Sequence, residues 1–157
     1  MATKGYTPLD LEWMQYALNL AARAREAGEV PVGAVLIKDN TVIGEGWNTP
    51  ISGADPTAHA EIVAIRNAAT NLNNYRLTGS TLYVTIEPCT MCIGAMIHGR
   101  IQRVVFGASE PRAGAVQSQL QLLDSAHYNH RIEWLGGVLA EPCSEIISAF
   151  FRDKRGG

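Results

Sequence analysis

The chain has 157 residues, 46% of them hydrophobic and 18% charged, with a formal net charge of −2. That length suits a single domain over residues 1–157 with a sizeable buried core, and the composition is that of an ordinary soluble globular protein. The mild acidity argues against indiscriminate polyanion binding, and no apolar run approaches the roughly 20 residues a membrane span needs.

Thr7-Pro8-Leu9-Asp10 predicts a helix start, with Thr7 as N-cap, Pro8 in the first turn and an acidic residue three after the cap. Leu11, Met14, Ala17, Leu18 and Ala21 continue it at helical spacing until Gly28. A strand follows over Val32 to Ile37, a hairpin turn at Lys38-Asp39-Asn40-Thr41, and a second strand over Val42 to Trp47. Gly33, Gly44 and Gly46 inside these strands signal close backbone approach, either by a ligand or by tight packing and bulges. Asn48 to Thr57 reads as a loop, and a helix runs from about Ala58 to Leu72 with Ile62, Ile65 and Ala69 on one side. Thr81 to Ile86 is the clearest strand, and Glu87-Pro88 turns it into a helix that begins near Cys89. Val104 to Gly107 is the next strand, then a loop over Ala108 to Gln117 and a short helix over Ser118 to Leu123. The polar segment His127-Tyr128-Asn129-His130 precedes a strand at Ile132 to Leu135. A final helix starts near Pro142 and buries Ile146, Ile147 and Phe150. Strands alternating with helices predict a three-layer α/β/α domain with some parallel pairing.

Three cysteines, two of them in metal-type spacing, make no disulfide framework, and Met1 to Tyr6 lack the apolar core of a signal peptide. Both observations predict a reducing cytoplasm. Cys143 reads as a small buried apolar residue on the last helix. Arg100, Arg103, Arg112, Arg131, Arg152, Lys154 and Arg155 gather late in the chain, as solvated surface or as one basic face.

Two short stretches carry the chemistry: His59-Ala60-Glu61 and Pro88-Cys89-Thr90-Met91-Cys92. A lone Cys-x-x-Cys is ambiguous between a redox motif, half a zinc knuckle and coincidence. Together the stretches supply one imidazole and two thiolates for a tetrahedral Zn²⁺ whose fourth corner stays open for water. The pKa of that water falls from about 15.7 to about 7. Glu61, two residues after the histidine, is the spare carboxylate that handles its protons. In mid-helix residues i and i+2 point to nearly opposite sides, so His59 and Glu61 can serve one site only off a helix's first turn, whereas Cys89 and Cys92 share a face. Two helix N-termini then aim at the metal and favour thiolate.

His-x-Glu followed by Pro-Cys-x-x-Cys is the signature of zinc-dependent nucleobase deaminases. Over about Leu11 to Arg152 the chain resembles the tRNA-specific adenosine deaminases of the cytidine-deaminase-like superfamily. The most specific segments are Glu29 to Val35, Asp55 to Glu61, and Tyr83 to Ile97; Val104 to Ala108 and Asn129-His130-Arg131 also resemble family segments. The resemblance implies a five-stranded mixed sheet flanked by helices, a homodimer with active sites near the interface, and one Zn²⁺ per subunit. It implies conversion of the wobble adenosine of an arginine tRNA to inosine, with the anticodon stem-loop as partner and neither DNA nor membrane. His59, Cys89 and Cys92 match the metal ligands and Glu61 the proton shuttle. By the same resemblance Asn48 and Asn129 contact the flipped nucleotide, and Phe151 and Arg155 face the anticodon stem-loop. Glu110 occupies a substrate-contacting loop position that the family often fills with Asp, and the chain closes on a short tail, Arg155-Gly156-Gly157. A deaminase of free bases or nucleosides, or a non-catalytic zinc protein that binds RNA, uses the same ligands; the intact Glu61 speaks against the second.

Overall fold

The computed structural model describes residues 5–125 and 128–156; Met1 to Lys4, within the segment read for a signal peptide, and His127 of the polar segment lie outside them. Its order is α1 (Pro8–Glu26), β1 (Gly33–Lys38), β2 (Thr41–Trp47), α2 (Ala60–Leu72), β3 (Thr81–Ile86), α3 (Thr90–His98), β4 (Arg103–Ala108), a 3₁₀ turn (Leu122–Asp124), β5 (Glu133–Leu135) and α4 (Ala140–Gly156). The five strands form one mixed sheet in the order β2-β1-β3-β4-β5. The β2–β1 and β1–β3 pairs are antiparallel, and β3–β4 and β4–β5 are parallel.

Alternation along the strands splits the core in two. Leu36, Leu82, Val84, Val104 and Phe106 pack against Ala60, Ala64 and Ala68 of α2 and Ile93 and Met96 of α3. Val35, Tyr83 and Val105 face the other way, onto Met14, Ala17 and Leu18 of α1 and Cys143 of α4. These are the three layers expected.

The hairpin between β1 and β2 turns on Asp39 and Asn40, both with φ near +55°, at 52° and 56°. That is the backbone of a type I′ turn, which asparagine and aspartate tolerate. The strand glycines answer the question the sequence left open. A Cβ at Gly33 would overlap the Ala17 carbonyl of α1, and one at Gly44 or Gly46 would overlap α2 at Ala64 and Val63. Helices, not a ligand, approach the backbone there. On the β2 edge, Asn67 and Asn71 of α2 donate side-chain N–H groups to the carbonyls of Glu45 and Ile43, at 2.8 and 2.9 Å.

Helix α1 opens on a reciprocal cap. The Asp10 N–H donates to Thr7 Oγ1 and the Thr7 N–H to Asp10 Oδ2. The same buried carboxylate accepts from Tyr83 Oη of β3 at 2.7 Å and from both Arg103 Nη atoms of β4 at 2.9 and 3.0 Å, tying α1 to the sheet.

Two expectations need correction. No helix spans Ser118 to Leu123: residues 115–118 form turns, because the N–H groups of Val116, Gln117 and Ser118 converge on the Glu87 carboxylate instead of lining up along an axis. The last helix starts at Ala140, before Pro142, and buries Phe150 fully but Ile146 and Ile147 only in part. Helix α2 likewise presents Ala60, Ile62, Ala64 and Ala68 to the core, with Ile65 and Ala69 at the margin.

Candidate active site

His59 is the N-cap of α2, in extended conformation, so the helix proper starts one residue later. That resolves the geometric objection to His59 and Glu61 sharing a site. The cap position has no side-chain bond of its own; Asn48 Oδ1 accepts from the Ala60 N–H at 3.2 Å instead. Upstream, Asp55 Oδ1 accepts from the Thr57 N–H and hydroxyl at 2.9 and 2.7 Å, and this Asx-type turn delivers the chain to His59. Cys89 is the N-cap of α3, and Cys92 sits in its first turn.

His59 Nδ1 lies 3.7 Å from Cys89 Sγ and 3.6 Å from Cys92 Sγ, and the two sulfurs are 3.9 Å apart. A tetrahedral zinc with Zn–S of about 2.3 Å and Zn–N of about 2.0–2.1 Å requires S–S edges of about 3.8 Å and S–N edges of about 3.6 Å. The donor set therefore fits zinc in both chemistry and spacing, and the three residues form the metal-type cluster of the described chain. A hydrogen bond from Cys92, with His59 beside it, pulls the Cys89 thiol down to about 3, while that same bond and burial push Cys92 up. A cation at that point would bind both sulfurs as thiolates, displacing their protons.

Glu61 is 3% exposed and lies against the Cys92 thiol; burial pushes its carboxyl up to about 7. A carboxyl poised near neutrality both gives and takes protons. His59, Glu61 and Cys89 line a pocket of about 170 Å³, closed by Asn48, Val30, Val32, Ile86, Glu87, Glu110 and Ala113. Val30 and Asn48 also line an adjoining apolar hollow of about 310 Å³ that reaches Ile51, Phe150, Phe151 and Lys154. Phe151 in turn borders a groove with Arg112, Ile147, Arg152 and Arg155.

The structure thus brings together His59, Cys89, Cys92, Glu61, Asn48 and Glu110, with Phe151 in the adjoining hollow and Arg155 in the groove beyond it. Asn129 is not among them; it is exposed in the bend before β5. Sequence reading passed over two buried carboxylates. Glu87 accepts hydrogen bonds from the 110–118 loop, and Glu29 accepts from Ile51 and Ser52 N–H and from Ser52 Oγ. Burial alone would raise both carboxyls, but the loop donors outweigh it and hold each below its ordinary value. A glutamate at the carboxyl end of the best buried strand was the available signal for Glu87, since ligands in open α/β sheets sit at those ends.

Residues 8–108 match the family model for the cytidine and deoxycytidylate deaminase zinc-binding region. The tRNA-specific adenosine deaminase of Haemophilus influenzae is 54% identical over 155 residues, covering 98% of this chain and 90% of that protein. The Bacillus subtilis enzyme of the same name is 43% identical over 91% of this chain and 89% of its own. A solved structure from work on A-to-I editing by tRNA:A34 deaminases at the wobble position of transfer RNA superposes with a TM-score of 0.83 at 41% identity, covering 86% of this chain and 98% of that one. At such identity over nearly its whole length, around a centre built for zinc, the chain belongs to the tRNA-specific adenosine deaminases, zinc-dependent hydrolases with the cytidine-deaminase fold.

Proposed function

We propose that this protein converts adenosine to inosine at the wobble position of a tRNA anticodon, with an arginine tRNA as substrate, releasing ammonia. The observation that carries the reading is the convergence of His59, Cys89 and Cys92 at the edge of a small pocket with a buried carboxylate, Glu61, beside them. When bound there, zinc acts as a Lewis acid that brings the pKa of water to about 7.

The side chains then divide the work. His59, Cys89 and Cys92 hold the metal. Glu61 moves protons: it takes one from the attacking water and passes it to N1 of the purine ring as the water oxygen bonds to C6, then moves that oxygen's second proton to the exocyclic amine, so that the C6–N bond breaks and ammonia departs. Asn48, fixed by its bond from Ala60, stands at the pocket wall to read the base. At about 170 Å³ the pocket falls below the roughly 300–1,000 Å³ of sites that enclose a whole drug-sized ligand. It accepts a base and leaves sugar and phosphate outside, which suits a nucleotide splayed from an anticodon loop, where unstacking costs little. The adjoining hollow and the groove with Arg112, Arg152 and Arg155 continue the surface for the flanking strand.

In this reading the protein works in the cytoplasm, where its three cysteines stay out of disulfides, and no helix of the described residues is long and apolar enough to cross a membrane. It works as a homodimer. Ammonia release from an arginine-tRNA anticodon stem-loop, free adenosine, cytidine and guanine, assayed side by side, tests the proposal. Activity confined to the stem-loop, with inosine at the wobble position, is expected; turnover of a free base with none on RNA would replace the reading.

A further inference from the structure

Glu87 has no part in the proton transfers above, yet its carboxylate, 2% exposed, accepts five hydrogen bonds. Four come from the backbone N–H groups of Glu110, Val116, Gln117 and Ser118, at 2.8–3.1 Å, and the fifth from Ser118 Oγ. Every donor belongs to the segment between β4 and the 3₁₀ turn, which has no helix or strand to satisfy its own backbone. Buried N–H groups without an acceptor are costly, so Glu87 holds together a loop whose own turns (Gly114 N–H to the Glu110 carbonyl, Gln119 N–H to the Gly114 carbonyl) and single tie to the Pro88 carbonyl leave these four donors unmet. Gly114 completes the cradle: a Cβ there would overlap the Glu87 carboxylate.

What the loop carries makes the dependence functional. Glu110 and Ala113 stand in the wall of the base pocket, and Arg112 borders the basic groove against α4. Glu110 and Arg112 are tied together, because Glu110 Oε1 accepts from the Arg112 N–H at 2.8 Å while the Glu110 N–H is itself held by Glu87. Glu87 also lines the pocket, at the end of β3. We infer that Glu87 is a positioning residue that locks the 110–118 loop in register with the pocket, and so sets the affinity for a loop-presented RNA strand rather than the rate of bond breaking.

The inference rests on the RNA reading proposed above. Its test compares wild type with Glu87→Gln, which sets an amide N–H against the loop donors, and with Gly114→Ala, which drives a methyl group into an intact Glu87. Zinc content is measured first and is expected to match wild type. KM for the anticodon stem-loop is expected to rise roughly tenfold in both variants, with kcat within about threefold. Amide hydrogen exchange over residues 109–118 is expected to accelerate by roughly tenfold or more while β1, β3 and β4 keep their protection. A fall in kcat at unchanged KM would place Glu87 in the reacting site and overturn the inference. Unchanged KM in a variant whose loop exchanges fast, or loop exchange at the wild-type rate, would overturn it equally. Should neither variant fold, Ser118→Ala, which removes one donor, carries the same split at about threefold in KM. Wild-type protein that ignores the stem-loop but deaminates a free base marks the failure of the RNA reading instead, and that outcome is visible before any variant is made.

Discussion

At the level of single residues, the roles proposed for the three ligand atoms and for the carboxylate beside them can be tested separately. Cys89→Ala should lose zinc by elemental analysis, since two remaining donors hold the ion poorly; full occupancy would remove Cys89 from the site. Glu61→Gln should keep fold and zinc while turnover falls by roughly 10²–10⁴-fold, the range for a positioned proton-transfer group. Near-wild-type turnover in zinc-replete Glu61→Gln protein would exclude it from the chemistry. Arg155, exposed at the end of the basic groove, is expected to contact phosphate. Arg155→Ala should weaken stem-loop binding and lower the slope of log affinity against log salt by about one phosphate's worth, leaving base preference unchanged. Superimposable salt plots would assign that contact elsewhere. His59, Glu61, Cys89 and Cys92 were legible in the sequence because short-range spacing fixes them: each pair sits at one helix start. Asn48 was legible only through family resemblance, and its structural duty, capping α2 from twelve positions upstream, has no local signature. Glu87 and Glu29 were missed for the same reason, since their partners lie 22 to 31 residues away.

Among elements, the same device recurs on both sides of the pocket. Glu29 ahead of β1 gathers the 51–52 turn, and Glu87 after β3 gathers the 110–118 loop, so two buried carboxylates hold the two lips in place. The predicted helix over 118–123 failed here, where a distant acceptor competed with helical hydrogen bonding and won. The other helices were readable from their helical stripes, and β1, β3 and β4 as near-continuous apolar runs, because both faces of the sheet are covered. A third carboxylate, Asp10, joins α1 to β3 and β4. Burial would raise its pKa, but the Arg103 guanidinium outweighs that, with the Thr7 N–H and Tyr83 hydroxyl, and the group is held at about 2. A depressed carboxyl contributes stability above its unfolded value near 3.8, and that contribution, about 2 kcal/mol here, drains away as pH falls from about 4 toward 2. Asp10→Asn should therefore be less stable at neutral pH by chemical denaturation and show a flatter stability profile between pH 4 and 2. A variant with the wild-type acid profile would show that the network is not the source.

For the molecule as a whole, the expected homodimer is the property that a single chain displays least. The apolar run after Cys92 does not speak for it, since Ile93 and Met96 are fully buried in the chain's own core. Leu72, Tyr75, Met91 and Leu120 are among the exposed large apolar side chains of the described residues, with Tyr6, Leu9, Ile51 and Phe151. Sedimentation at micromolar concentration should give twice the 17.0 kDa chain mass, and a monomer would contradict the dimer. The asparagine contacts on β2 bear on how such a dimer is built. Asn67 and Asn71 occupy carbonyls that an edge strand would otherwise offer to a neighbour, and β5 at the opposite edge is only three residues long. Strands that short, or already engaged, give little template for sheet extension. A dimer is therefore expected to meet through helices and loops rather than by sheet extension, and the edge strands of the described residues offer little border from which a cross-β aggregate can grow.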